Sequence, residues 1–449
     1  MKILIVGAGE VGRYLCEILS EEYHDVSVIE SDIPLANQID EELNVRVIKG
    51  NGSSAGVLQQ ADADHCDYFL AMTSDDKTNL ISCSIAKALG AGTTIARIHD
   101  QTYSDNSILN YQLHFGIDHL LNPEALAAVE LAKKIRHPGR VAVENLARGQ
   151  IEVQQFRVKP KAKVIGKKLA DLNLDRRVRI GYVQSGDEQK VAGANTVLRE
   201  YDYVTLFGPS QILFDVKPLF DPELETEPVR IVLFGGGEAS IALVRLLTHP
   251  RFKIRILEES KEQCRLLAEK FPKVTVIQGD ATSLRLLEEE QVGSADYFIG
   301  LTKEDEDNVM TCLQASKLGA KHTMLLVNRA DYIEVLERLK SILGVELVVS
   351  PRIATANEVV RYTSREPYIE LAKLANDSGR IVEIKVGPKS PCAGRKLRDI
   401  EWPGDCVIVA LMYKSDAKVP GADDTIEAGA RVVAIIHKEN TRELVKMLK

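Results

Sequence analysis

The residues Gly7-Ala8-Gly9-Glu10-Val11-Gly12 carry the G-x-G-x-x-G spacing, and Glu30 stands about twenty residues further on, the arrangement that holds a dinucleotide. Each residue type has a physical task. Gly7 permits a tight strand-to-helix turn. Gly9 presents no side chain, so a pyrophosphate can approach the backbone. Gly12 lets the helix pack close to the strand. The helix behind the turn offers free N–H groups and a partial positive charge to phosphates. The Glu30 carboxylate suits the hydroxyls of an adenosine ribose and repels a 2′-phosphate, which favours NAD(H) over NADP(H).

Other side chains could do chemistry. Arg97 is a candidate phosphate cation, and Thr73 and Ser74 are candidate polar contacts. His99 is the best-placed candidate acid for a hydride-transfer enzyme, although a polar loop residue or nucleotide contact is the simpler reading. Asp75-Asp76 and the run Glu304 to Asp307 could hold a divalent cation, but carboxylates at a helix start are commonplace because they favour the dipole. No paired His/Asp, catalytic Lys or nucleophile signature accompanies them, so no catalytic residue is assigned and the chain is not expected to be an enzyme. The seven cysteines form no C-x-x-C pair and the nine histidines no ligand cluster, so reduced thiols and no metal site are expected.

Elements must position these residues. Ile3 to Val6 is an apolar run of strand length, followed by Val11, Leu15, Ile18 and Leu19 at helical spacing. Further runs lie at Val26 to Ile29, Val45 to Ile48, Tyr68 to Thr73, Thr94 to Ile98 and Asp118 to Leu121, separated by helical stretches. Strands alternating with helices imply a parallel sheet whose carboxyl edge gathers Gly9, Glu30, Thr73, Ser74 and Arg97. A helix from Leu126 should break at His137-Pro138-Gly139. Beyond it, strands at Ile151 to Val158, Ile180 to Val183, Gln189 to Ala192 and Tyr203 to Phe207, with a short helix opened by Gly166-Lys167-Lys168-Leu169, describe a small α+β module. Pro218 to Pro228 is rich in proline and acid and reads as a linker.

The first half then recurs. Gly235-Gly236-Gly237-Glu238-Ala239-Ser240 repeats residues 7 to 12 at an offset of 228, counted from Gly7 to Gly235, and Glu258 repeats Glu30. Thr302 answers Thr73, Asn308 answers Asn79, and Ser350-Pro351 answers Asn122-Pro123. Gly394 to Leu397 answers Gly166 to Leu169. The fold class is therefore α/β, two Rossmann-like parallel-sheet domains each followed by a small α+β module. The expected divisions are 1–125 for the first lobe with a crossover helix to about 140, 141–217 for its module, 218–228 for the linker, 229–353 for the second lobe with a crossover to about 370, and 371–449 for the second module. The copies differ at the candidate sites. Ser240 replaces the third glycine, so helix and strand must stand further apart there. Leu326 replaces Arg97, and Arg329 is the cation available nearby.

The chain has 449 residues, 45% of them hydrophobic, and a net charge of −8. That balance argues against nucleic acid as a partner, and with no evident recognition helix against a redox-sensing transcription factor. No apolar run approaches the roughly 18 residues that span a bilayer, and the amino terminus does not read as a signal peptide. A cytoplasmic protein is expected. The function classes left are a nucleotide-binding regulatory subunit and, as the alternative, an NAD-dependent oxidoreductase with a duplicated fold.

The order of lobes and modules resembles the TrkA family, the regulatory subunits of bacterial and archaeal Trk potassium uptake, built from tandem RCK domains. The resemblance spans essentially the whole chain. It rests on Gly7 to Gly12, Glu30, Ala71-Met72-Thr73-Ser74-Asp75-Asp76 with Asn79, Ile95-Ala96-Arg97-Ile98, Ile117-Asp118-His119-Leu120, His137-Pro138-Gly139, and Gly166 with Leu169. It implies a peripheral protein at the inner face of the cell membrane, bound to an integral potassium-transporting subunit of TrkH type, with four chains forming a ring of eight RCK domains. It implies NAD(H) and ATP or ADP as regulatory ligands. Gly7, Ala8, Gly9, Glu10, Val11, Glu30, Thr73, Ser74 and Arg97 would line the first cleft. Gly235, Gly236, Gly237, Glu238, Ala239, Glu258 and Thr302 would line the second.

Overall fold

The computed structural model describes residues 1–104, 108–136, 143–146, 151–175, 177–186, 188–222, 228–363, 367–373, 379–404, 406–413 and 416–449. In the first lobe β1 (Lys2–Val6), α1 (Glu10–Glu21), β2 (Asp25–Glu30), α2 (Ile33–Glu42), β3 (Arg46–Lys49), α3 (Ala55–Gln60), β4 (Tyr68–Ala71), α4 (Asp76–Leu89), β5 (Thr93–Arg97), α5 (Tyr111–His114) and β6 (His119–Leu121) lead into α6 (Pro123–Arg136). The strands lie in the order β3-β2-β1-β4-β5-β6, all pairs parallel. The order reverses between β1 and β4, which opens a crevice at the carboxyl end of β1. Helices cover both faces, so β1 is buried on both sides and reads as a continuous apolar run.

The first module holds β7 (Val143–Leu146), β8 (Ile151–Arg157), β9 (Arg179–Ser185), β10 (Glu188–Val191), β11 (Tyr203–Gly208) and α7 (Ser210–Val216). Its antiparallel sheet runs β10-β9-β11-β8-β7. The short helix expected to open with Gly166 to Leu169 is a single 3-10 turn, Leu169–Asp171. Phe220, inside the stretch read as linker, is fully buried in this module's core. The His137-Pro138-Gly139 break lies outside the described residues.

The second lobe repeats the first with β12 (Val229–Phe234), α8 (Glu238–Leu246), β13 (Phe252–Glu258), α9 (Lys261–Lys270), β14 (Thr275–Gln278), α10 (Leu284–Glu289), β15 (Tyr297–Gly300), α11 (Asp305–Leu318), β16 (His322–Leu326), α12 (Ala330–Leu343), β17 (Val345–Val349) and α13 (Pro351–Thr363). Its sheet order is again that of a doubly wound fold, β14-β13-β12-β15-β16-β17. The second module has β18 (Ile369–Lys373), β19 (Arg380–Lys385), β20 (Cys406–Tyr413), β21 (Asp416–Lys418), β22 (Arg431–Ile436) and α14 (Thr441–Leu448), in the sheet β18-β19-β22-β20-β21. Two parallel Rossmann-like sheets, each followed by a small module, are the architecture the sequence predicts.

These parts form two compact units, Met1–Ala132 with Pro228–Thr363, and Lys133–Glu227 with Ser364–Lys449. In the first, α13 leaves its own lobe and packs on α1 of the other. Ala356 and Val359 enter the first lobe's apolar core beside Leu15, Leu19 and Val28. Tyr362 stacks on His119 with ring centroids 4.2 Å apart, and the Tyr68 hydroxyl donates to the Tyr362 carbonyl at 2.6 Å. In the second unit the modules share a core in which Tyr182 and Phe207 meet Val433 and Ile435. Among the described residues no helix is long and apolar enough to cross a membrane.

Candidate functional site

The first glycine turn is shaped by what a side chain would hit. Gly7 has φ +91°, a left-handed conformation, and Thr73 lies over it: a Cβ there would come within 2.9 Å of Thr73 Cγ2. At Gly12 a Cβ would sit 1.9 Å from the Gly7 carbonyl oxygen, so α1 reaches the strand only without one. Gly9, the N-cap of α1, has nothing within 4 Å of that position and faces open space.

Glu30 is 8% exposed and braces the turn from below. Its Oε2 accepts the Ala8 N–H at 2.6 Å and its Oε1 the Asp32 N–H at 2.8 Å and the Ser31 hydroxyl at 3.2 Å. The acid of the fingerprint is thus already a backbone acceptor, holding Ala8 in place while Gly9 stays open.

The neighbouring strand ends are tied together by Asn79, which is fully buried. Its Oδ1 accepts the Thr73 N–H at 3.0 Å and hydroxyl at 2.7 Å, and its Nδ2 donates to the carbonyls of Thr73 and Arg97 at 2.9 Å each. Arg97 Nη2 lies 2.8 Å from His99 Nε2, and His99 Nδ1 lies 3.0 Å from Asp76 Oδ1. A guanidinium only donates, so Nε2 accepts and the imidazole proton sits on Nδ1, facing Asp76. Burial lowers the Arg97 pKa against the opposing pull of the Glu124, Asp76 and Glu10 carboxylates. For Asp76 burial works to raise the pKa, yet the bonds from His99 and the Asp100 N–H outweigh it and the net shift is downward. His99 therefore has no free proton donor toward the cleft, and both Asp76 oxygens serve the His99–Asp100 backbone.

The second copy reproduces much of this. Gly235 has φ +96° under Thr302, Glu258 Oε2 accepts the Gly236 N–H at 2.7 Å, and Asn308 binds Thr302 and the Leu326 carbonyl as Asn79 binds its partners. Asp305 accepts the N–H groups of Asn328 and Arg329. Two differences stand out. Ser240 is fully buried and its hydroxyl donates to the Gly235 carbonyl at 2.5 Å, so α8 stands further from its strand than α1 does. Gln263 Nε2 donates to the Gly236 carbonyl at 2.6 Å, a contact to the loop that the sequence reading missed.

A cleft of about 610 Å³ opens above the first turn, lined by Ala8, Gly9, Glu10, Arg13, Leu35, Arg329 and Arg352. Of the residues expected here, Ala8, Gly9 and Glu10 line the space. Gly7, Thr73 and Glu30 support it, Val11 and Gly12 lie buried beneath it, Ser74 is exposed on the adjoining turn, and Arg97 is turned toward His99. Gly237 is exposed and Ala239 buried at the corresponding places in the second copy. Arg329, expected to serve the second cleft, belongs to the first instead. The guanidinium of Arg352 lies 4.9 Å from the Tyr14 ring centroid and that of Arg329 4.2 Å from Tyr332. Arg13 pairs with Glu42 at 2.6 Å and Glu17 at 3.2 Å. Sequence reasoning misses Arg352 and gives Arg329 to the wrong cleft, although one signal for both is present in the sequence. Arg329 caps the start of α12 and Arg352 is the second residue of α13, places where the helix dipole disfavours a cation.

Among the thiols, Cys264 donates to the Glu258 carbonyl at 3.4 Å beside the second turn, whereas Cys16 and Cys312 are fully buried. Burial, reinforced by Glu17, pushes Cys16 up to about 12, and burial does the same to Cys312, so both stay protonated at neutral pH.

Family models match the chain along its length. The TrkA-N domain matches residues 3–123 and 231–351, and the TrkA-C domain matches 153–221 and 381–449. The chain is 30% identical over 449 residues to a "Trk system potassium uptake protein TrkA homolog" of Archaeoglobus fulgidus, with 100% of each covered. It is 28% identical over 461 residues to the "Trk system potassium uptake protein TrkA" of Halomonas elongata, covering 100% of this chain and 99% of the relative. Among solved structures, "GsuK channel bound to NAD" shares the fold at TM-score 0.59 and 18% identity, covering 100% of this chain and 78% of that one. "Crystal structure of the GsuK bound to ADP" does so at TM-score 0.51 and 15% identity over 80% of this chain and 68% of that one. Two matched lobes, two matched modules and full-length relatives place the chain in the family of TrkA, the Trk system potassium uptake protein.

Proposed function

We propose that this regulatory subunit of potassium transport binds NAD(H) and adenine nucleotides at the first glycine turn and passes their occupancy on as a change in the arrangement of its lobes. The observation that carries the reading is the composition of the first cleft. Ala8, Gly9 and Glu10 come from one lobe, and Arg329 and Arg352 from the other. A ligand that touches both lobes binds one arrangement of them better than another, and shifts the population by that difference in affinity. NAD and ADP are ligands named for solved proteins of the same fold. Glu30 keeps the ribose-facing side of the turn acidic, which favours NAD(H) over NADP(H). The second turn, Gly235 to Ala239 with Glu258 and Thr302, is the weaker candidate.

The partner in this reading is an integral potassium-transporting subunit of TrkH type. Four chains supply eight lobes to a ring on the cytoplasmic face of the membrane. No bond in the nucleotide is broken. His99 is held between Arg97 and Asp76, which disfavours the oxidoreductase alternative.

Calorimetric titration with NADH, NADPH, ATP and ADP tests this, beside Gly9→Asp. Gly9 is an N-cap with open space around its Cβ position, and aspartate is a preferred N-cap residue, so the variant should fold with an unchanged melting temperature. Its carboxylate would occupy the phosphate position. Binding by the wild type, lost in Gly9→Asp and unaccompanied by NADH oxidation, is the expected result. No binding of any of the four by the wild type would end the nucleotide-gating reading.

A further inference from the structure

The two lobes face each other through positions that correspond under the duplication, and at two of those positions the charge is reversed. Asp76 binds the N–H groups of His99 and Asp100, and Asp305 binds those of Asn328 and Arg329, so Arg329 stands where the first lobe has Asp100. Asn122 caps at Ala125 and Ser350 at Ile353, so Arg352 stands where the first lobe has Glu124. Arg329 and Arg352 line the first glycine cleft. Asp100 and Glu124 lie within electrostatic reach of Glu238, the residue that follows the second glycine turn. Burial first, and then these two acids, push the Glu238 carboxyl above its ordinary range against the pull of Lys270 and Arg245.

A third position points the same way. Arg13 lines the first cleft, and its counterpart under the offset is Ile241, which is buried. Glu10 and Glu238 are common to both copies and do not distinguish them. The two arginines also break a local rule that their counterparts obey. A cation at a helix N-terminus opposes the dipole, and departures of that kind concentrate at functional positions. Tyr14 and Tyr332 place an aromatic face beside each guanidinium. The buried Nε of Arg352 has no hydrogen-bond acceptor among the described residues.

We infer that the first cleft is a polyphosphate site and the second is not: a nucleoside di- or triphosphate lies with its phosphates between the Gly9 turn and Arg329 and Arg352, and each chain takes one. This rests on the nucleotide-binding reading above and adds that the second cleft is excluded and which side chains discriminate among the first cleft's ligands. Guanidinium groups grip terminal phosphates through paired N–H donors. A phosphate chain at the second turn would meet Glu238, Glu124 and Asp100 instead. Affinity at the first cleft therefore rises with the number of phosphates, and the arginines contribute little to a monophosphate that reaches only the turn.

Calorimetry on the full chain with ATP, ADP and AMP tests it. The wild type should bind one ATP per chain, unchanged in Gly237→Asp and lost in Gly9→Asp. The double substitution Arg329→Gln with Arg352→Gln should weaken ATP on the order of 100-fold and AMP by less than about threefold. Asp100→Arg with Glu124→Arg should raise the ATP stoichiometry to two. Two ATP per chain in the wild type, unaltered ATP affinity in the arginine variant, or equal loss of ATP and AMP there would each overturn the inference while leaving nucleotide binding standing. A wild type that binds no nucleotide would remove both.

Discussion

At Gly12 and Ser240 the duplication solved one contact in two ways. In the first lobe the helix is drawn so close that a Cβ would sit 1.9 Å from the Gly7 carbonyl oxygen. In the second a hydroxyl fills a wider gap and satisfies the equivalent carbonyl. Gly12→Ala should destabilise the first lobe by about 1–3 kcal/mol through overpacking. Ser240→Gly should cost the second on the order of 1 kcal/mol for a lost hydrogen bond. Differential scanning calorimetry of each variant checks both, and a Gly12→Ala that melts with the wild type would disprove the steric account. The same scale shows what sequence spacing leaves unsaid. It located Glu30 at the right distance from the glycines, but the carboxylate's bond to the Ala8 N–H was not legible, because spacing carries no orientation. Glu30→Ala therefore tests turn integrity as well as ribose binding. Glu30→Gln, which keeps an acceptor, separates the two.

At the scale of elements, the turns after β4 and β5 are held by side chains standing in for strand hydrogen bonds. Asn79 and Asp76 on α4 bind the backbone of residues 73, 97, 99 and 100, and Asn308 and Asp305 repeat the pattern from α11. This explains why an acidic helix start recurs in both copies without a metal having to be invoked. Asp76 has its pKa lowered in the folded state, so its stabilisation is full above the ordinary aspartate value of about 3.9 and is lost as pH falls below it toward the folded value. Asp76→Asn should lower the melting temperature at pH 7. The gap from wild type should shrink as the pH is taken below about 4, and a gap that persists at acid pH would show that charge is not the cause. Strand and helix existence was readable here from periodicity, since the central apolar runs of β1 and β12 are buried between two helix layers. The destination of α13 was not. Its apolar face is the same whether it covers its own sheet or its neighbour's, so the sequence offers Arg329 as the second cleft's cation and does not single out Arg352, which α13 carries to the first cleft.

At the scale of the paired lobes, Arg329 and Arg352 of one lobe answer Asp100 and Glu124 of the other, so corresponding positions carry opposite charge. The Glu238 carboxyl is raised above its ordinary value by burial and by acids of the opposite lobe. The folded state then holds its proton more tightly than the unfolded chain. Stability contributed by this group is present at low pH and falls as pH rises past the ordinary glutamate value of about 4.3. Glu238→Gln should raise the melting temperature at pH 7, with the gain fading below about pH 4. A variant equal to wild type at pH 7 would count against the acidic character assigned to the second cleft.

The passage of α13 into the first lobe also has a consequence for biogenesis. The first sheet is complete at Leu121, but the helix that closes one of its apolar faces begins at Pro351. At typical synthesis rates of ~5–20 residues per second, the roughly 230 intervening residues leave the lobe's core without α13 for on the order of 10–45 seconds on the ribosome. During that interval the nascent lobe's core lacks Ala356 and Val359, which pack beside Leu15, Leu19 and Val28. The first lobe is thus translated well before the helix that completes its core. Its maturation is tied to the arrival of the second copy.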